Sequence, residues 1–139
     1  MTELFNKKIT IFNDIEADGN VPRVFDRFVV EKCQITEQCV DKADGTVRNV
    51  VNVKTVTTKD VGRYKSPVEY AKLPTEERAN FFTVQVGDII VFGEVNNAVT
   101  NAKELQDLQR KYEGNCIKVT SVGTYINGMV TDNITMTNA

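Results

Sequence analysis

Thr83-Val84-Gln85-Val86-Gly87-Asp88-Ile89-Ile90-Val91-Phe92-Gly93 reads as a strand, a Gly-Asp turn and a second, wholly apolar strand. Phe81 and Phe82 lead into it and belong with the core. Gly87, Asp88, Ile89, Ile90, Val91 and Phe92 are therefore the candidate central element of a small sheet protein. Around them Val and Thr are abundant and apolar residues alternate with polar ones, which makes the chain mainly β.

Upstream, Lys8-Ile9-Thr10-Ile11-Phe12-Asn13 forms a short strand with Ile9 and Ile11 on one face. Asp18-Gly19-Asn20 and Pro22 form a turn. Residues 23–58 read as one long hairpin, with strands Arg23 to Val40 and Thr46 to Thr58 around a polar loop of Asp41, Lys42, Ala43, Asp44 and Gly45. Pairing Val40 with Thr46 sets Cys39 against Val47, Ile35 against Val51, Cys33 against Val53 and Val30 against Val56, so that apolar residues meet. Such a hairpin exceeds the ~5 to 6 residues of an ordinary strand, and its distal end is polar. Its tip is expected to project.

Downstream, two capping boxes and a further turn have the form of helix starts. Ser66-Pro67-Val68-Glu69 places a cap, then proline at the first helical position, and Pro74 stops the helix early. Thr75-Glu76-Glu77-Arg78 starts a further turn with acids at its positive end. Asn101-Ala102-Lys103-Glu104 is a second capping box, with Leu105, Leu108 and Tyr112 on one face and Gly114 closing the helix. Cys116 to Tyr125 and Met129 to Thr137 then pair through Asn127-Gly128, which puts Tyr125 against Val130, Ser121 against Ile134 and Val119 against Met136. The fold expected is a β-barrel-like single domain over residues 1–139, with two long hairpins and one or two peripheral helices.

The chemistry of the chain narrows its function by exclusion. Its 139 residues contain no histidine, which removes Ser-His-Asp and Cys-His catalysis and the commonest metal ligand. No Gly-rich phosphate loop is present. Glu76, Glu77 and Asp88 are the carboxylates nearest to turns, and they read as helix-start acids and a turn residue. Cys33, Cys39 and Cys116 form no Cys-x-x-Cys pair. On one strand, six residues put Cys33 and Cys39 ~20 Å apart, too far for a disulfide. No catalytic residue, metal site or cofactor site is expected.

The 17 Lys and Arg and 19 Asp and Glu give a net charge of −2 without a basic stripe, which disfavours phosphate-driven nucleic-acid binding. The longest apolar run, Ile89 to Phe92, is far below the ~20 residues of a membrane span. Met1 to Phe5 lacks the pattern of a signal peptide, so assembly in the cytoplasm is expected.

Five motifs occur in order: Ile9-Thr10-Ile11-Phe12-Asn13, Arg27 to Cys33, Gly87 to Gly93, Leu105-Gln106-Asp107-Leu108 with Lys111-Tyr112, and Ile117 to Val122. In this pattern the chain resembles a family of small minor structural proteins of tailed bacteriophages, mostly of Gram-positive hosts. The resemblance implies a virion protein of the head-tail connector or neck, most simply the stopper that completes the head. Proteins of that kind are small β-barrels that form a homo-oligomeric ring, by analogy a hexamer, between portal or adaptor and tail. A projecting hairpin retains packaged DNA, and here Asp41 to Gly45 would be its tip. Acidic residues there would not hold the moving polyanion. A tail terminator or minor capsid protein of the same particle is the nearest alternative, and an OB-like binding module is the alternative from another class.

Overall fold

The structure is a computed structural model and describes residues 6–15, 24–44, 47–59, 61–97, 99–127 and 130–138. Seven strands form one antiparallel sheet: β1 (Lys7–Ile15), β2 (Val24–Asp44), β3 (Val47–Thr58), β4 (Ile89–Phe92), β5 (Cys116–Lys118), β6 (Ser121–Asn127) and β7 (Val130–Thr137), in the spatial order β5-β4-β1-β2-β3-β7-β6. Three short helices accompany them: α1 (Pro67–Ala71), α2 (Thr75–Arg78) and α3 (Ala102–Lys111). The architecture is a mainly β half-barrel.

The run Ile89-Ile90-Val91-Phe92 is apolar throughout because β4 is covered on both faces. Ile90 belongs to the half-barrel interior with Ile9, Ile11, Val30, Val56, Phe82, Ile117, Ile134 and Met136, and Phe92 packs against that cluster. Ile89 and Val91 point outward into a second cluster with Phe12, Val95, Val99, Leu105 and Leu108. α3 supplies the two leucines, so its narrow apolar stripe roofs the outer face of β1 and β4. Its start is fixed as the capping pattern requires: Glu104 N donates to Asn101 Oδ1 at 2.9 Å, and Asn101 Nδ2 donates to Glu104 Oε1 at 2.9 Å.

The curl of the sheet follows from a chain constraint. β5 and β6 are opposite edges, yet only Val119 and Thr120 separate them, and three Cα steps span at most about 10 Å. The edges must meet at that end. Val119 N donates to Asp88 O and Gly87 N to Val119 O, both at 2.8 Å, while Thr120 N donates to Thr137 O at 2.9 Å. The inner concavity is filled by the segment between β3 and β4. There Phe82 stacks on Phe28 with centroids 5.2 Å apart, Tyr64 tilts against Phe82 at 5.6 Å, and Val84 is buried beside them.

Several local expectations are corrected. Thr83 to Val86 is not a ladder strand. Phe82, which leads into it, makes an isolated bridge: its N–H donates to Arg63 O and its carbonyl accepts from Lys65 N, both at 2.9 Å. Cys116 to Tyr125 is two strands, because the chain crosses from one sheet edge to the other at Val119 and Thr120. In the last hairpin Tyr125 faces Asn133, Ser121 faces Thr137 and Val122 faces Met136, with an irregularity between Tyr125 and Ile126. Ile134 and Met136 are nonetheless buried while Asn133, Thr135 and Thr137 lie on the wetter side. Gly128 and Met129 lie outside the described residues.

The long hairpin also takes another register: Cys33 pairs with Thr58, Ile35 with Val56, Val40 with Val51 and Asp44 with Val47. That register runs without a shift down to Asp44 opposite Val47, which leaves two residues between the strands where the sequence suggested five. On its other side β2 carries a bulge, since Lys7 pairs with Cys33 but Ile9 with Val30, leaving Glu31 and Lys32 opposite Lys8. Lys32 adopts a left-handed φ of 56°, and Thr58 Oγ1 donates to the Glu31 and Lys32 carbonyls at 3.3 and 3.5 Å. The inserted residue lets Val30 and Cys33, three apart, both reach the interior, which strict alternation forbids.

The double-sided burial of β4 makes a direct prediction. Ile90→Ala is expected to cost about 2 to 5 kcal/mol in urea unfolding. Val86→Ala, at a position 68% exposed, should cost less than about 0.5 kcal/mol. Equal losses would contradict this packing.

Candidate functional site

β1 pairs with β2 only as far as Cys33, and β7 pairs with β3 only from Thr55 onward. Beyond those points, from Glu37 against Lys54 to Asp44 against Val47, β2 and β3 pair with each other and with no other strand of the described residues. Eight successive pairs make a two-stranded ribbon roughly 24 Å long at ~3.4 Å per residue. Asp41, Lys42, Ala43 and Asp44 are therefore the last residues of β2 and not a loop; the turn is shorter than expected, and Gly45 lies outside the described residues.

Register and sequence also set the charge of the ribbon. By sequence, Glu37, Asp41 and Asp44 are balanced by Lys42, Arg48 and Lys54, so the two strand stretches sum to zero charge. At its base Lys54 is held firmly. Its Nζ donates to Gly114 O at 2.6 Å, its N–H donates to Asn138 Oδ1 at 2.8 Å, and its carbonyl accepts from Asn138 N at 3.3 Å. The ribbon thus leaves a fixed base that is tied to both the end of α3 and the end of β7.

The second candidate, Gly87 to Phe92, is structural in its contacts. Ile89, Ile90 and Val91 are buried, Phe92 and Gly87 are half-buried, and Gly87 takes a φ of 100° that favours glycine. Asp88 is more than a turn residue. Its side chain, in a residue 1% exposed, accepts three N–H donors: Gln85 N and Asn13 Nδ2 at 2.8 Å on Oδ2, and Asp14 N at 3.1 Å on Oδ1. Asn13, also buried, donates in addition to Thr83 O at 2.8 Å. One carboxylate therefore ties the end of β1 to the turn before β4, while its own carbonyl holds Val119 at the junction of the two sheet edges.

Burial pushes the Asp88 carboxyl up from 3.8 to about 6, against the pull of its three donors, with the nearby Asp14 adding to the rise. In the sequence this residue carried only a turn signal. The clue to its real role was Asn13, a short amide at the end of an apolar strand, which is costly to bury without a partner.

Other reactive groups are accounted for by packing. The Tyr70 hydroxyl donates to Asp26 Oδ2 at 2.6 Å; burial and that carboxylate raise its pKa, so it remains a protonated strut between α1 and β2. Glu76 and Glu77 are exposed acids in the first turn of α2. Cys33 is buried, Cys39 exposed and Cys116 half-buried, with burial raising the Cys116 thiol. Among the described residues no cluster of Cys, Asp and Glu could hold a metal ion, and no helix is long and apolar enough to cross a membrane. A surface groove of about 210 Å³ along α3 is lined by Glu104, Asp107 and Lys111 over Val99 and Leu108, and it presents no nucleophile beside a base.

A family model described as Family of unknown function (DUF6751) matches residues 4–137. No curated protein and no solved structure matches the chain.

The Asp88 clasp has a pH signature. Because its folded pKa lies above its unfolded value, its contribution to stability is fully present below about pH 4 and is lost as the pH rises through about 6. The stability of the wild type relative to Asp88→Asn is expected to fall by roughly 2 kcal/mol from pH 4 to pH 7, measured by urea unfolding at each pH. A gap that widens with pH would contradict the assignment.

Proposed function

We propose that this chain, which belongs to the Family of unknown function (DUF6751), is a structural subunit that works by assembling with copies of itself and with neighbouring proteins. The narrower reading is a protein of the bacteriophage head-tail junction, a stopper ring between portal or adaptor and tail. The observation that carries the assembly reading is the ribbon. A two-stranded hairpin is marginal alone in water, and this one continues for eight pairs past the last strand that supports it on either side. A contact that covers it would supply what the sheet does not.

The head-tail reading rests on the five ordered motifs and on a ribbon with a fixed base, a suitable shape for reaching into a channel or across to a neighbour. Its neutrality suits both roles, because neither strong attraction to DNA nor strong repulsion from it follows from balanced charge. Transmission of contact would be mechanical: Lys54 links the ribbon to α3 and β7, and Asp88 links β1 to the junction of the sheet edges.

Replacing Gln38–Val53 by Asn-Gly, so that Glu37 and Lys54 close a short hairpin, tests this reading. The shortened protein is expected to keep the wild-type near-ultraviolet circular dichroism and to stay monomeric in light scattering where the wild type assembles. A wild type that remains a monomer at every concentration, and that joins neither portal, adaptor nor tail rings, would overturn it.

A further inference from the structure

Three long strand edges are left unpaired among the described residues, and they differ in protection. The outer edge of β2 from Thr36 to Asp44 carries Glu37, Asp41, Lys42 and Asp44, four charges in nine residues. Charges of this density are how sheet edges avoid pairing with other chains. The outer edge of β3 is free from Val47 to Val53, because Asn138 occupies Lys54 and β7 begins its pairing at Thr55. That stretch, Val-Arg-Asn-Val-Val-Asn-Val, holds four valines and one charge.

The outer edge of β6, Ser121–Asn127, has no charge at all. No described backbone bond reaches it from the side away from β7. Ser121, Gly123, Thr124 and Tyr125 are exposed, Tyr125 to 68%. Gly123 sits inside this strand with open space where a Cβ would stand, a position that lets another backbone approach closely.

We infer that β3 of one copy, from Val47 to Val53, pairs edge to edge with β6, from Ser121 to Asn127, of a second copy. This rests on the assembly reading above and names the surfaces that would carry it. Each stretch is seven residues, about 20 Å of strand, so the two match end to end. Both are poor in charge, and the single Arg48 meets no like charge in Ser121–Asn127. The contact is heterologous, with every copy offering one β3 edge and one β6 edge. Repeating it closes a ring if the rotation allows and extends a fibre otherwise. The strongly charged β2 edge is left out of the contact.

Two substitutions separate the possibilities. Val50→Lys places a charge in the β3 edge and Thr124→Lys, at an exposed position, places one in the β6 edge. Each variant alone, with wild-type circular dichroism, is expected to need at least a tenfold higher concentration to assemble in light scattering. An equimolar mixture should form 1:1 dimers and nothing larger, since each pair retains one intact β3 edge and one intact β6 edge. Undiminished assembly of either variant, or a mixture that remains monomeric, would overturn this pairing while leaving the assembly reading in place. A wild type that never assembles would overturn both.

Discussion

Lys118 ends one edge of the sheet and Ser121 begins the other, and the chain between them can span no more than about 10 Å. Seven antiparallel strands can satisfy that link only by curling until their edges meet. Once curled, the sheet has an inside that must be filled and an outside that must be covered near β4. Phe82, Val84 and Tyr64 fill the one, and α3 covers the other through Leu105 and Leu108. The same link is held by Asp88, whose carbonyl accepts from Val119 while its carboxylate gathers donors from β1 and from the turn before β4.

The ribbon is the consequence of unequal strand lengths within that sheet. β2 has 21 residues and β3 has 12, whereas β1 has 9 and β7 has 8. The supporting strands run out first, and the excess pairs with itself. A fold whose interior is so completely occupied leaves its periphery as the place for contact. There a charged β2 edge contrasts with nearly uncharged β3 and β6 edges, the contrast on which the proposed assembly rests.

Much of the local structure was legible because its signals are short-ranged. Ser66 with Pro67 and Asn101 with Glu104 mark helix starts through bonds made within four residues, and both helices begin there. The apolar run of β4 and the Gly87 turn were equally plain. The register of the long hairpin was not, because Asp41 to Asp44 are polar enough to look like loop yet continue β2 to Asp44 opposite Val47, and the bulge at Glu31 and Lys32 against β1 carries no glycine to announce it. The strand break at Val119 and Thr120 was hidden for the same reason: two β-branched residues look like strand, and only the sheet's closure makes them a crossing. Asp88 looked like a turn residue because its partners Asn13 and Asp14 lie more than seventy positions away.

The central claim is that the ribbon is an assembly arm on a self-sufficient half-barrel. Backbone hydrogen exchange, compared residue by residue between the dilute monomer and the assembled state, tests it most directly. The account predicts that amides of Ile9, Ile11 and Ile90 are protected in both states, while those of β3 from Val47 to Val53 are protected strongly only on assembly. Ribbon amides that exchange at the same rate in both states would contradict it.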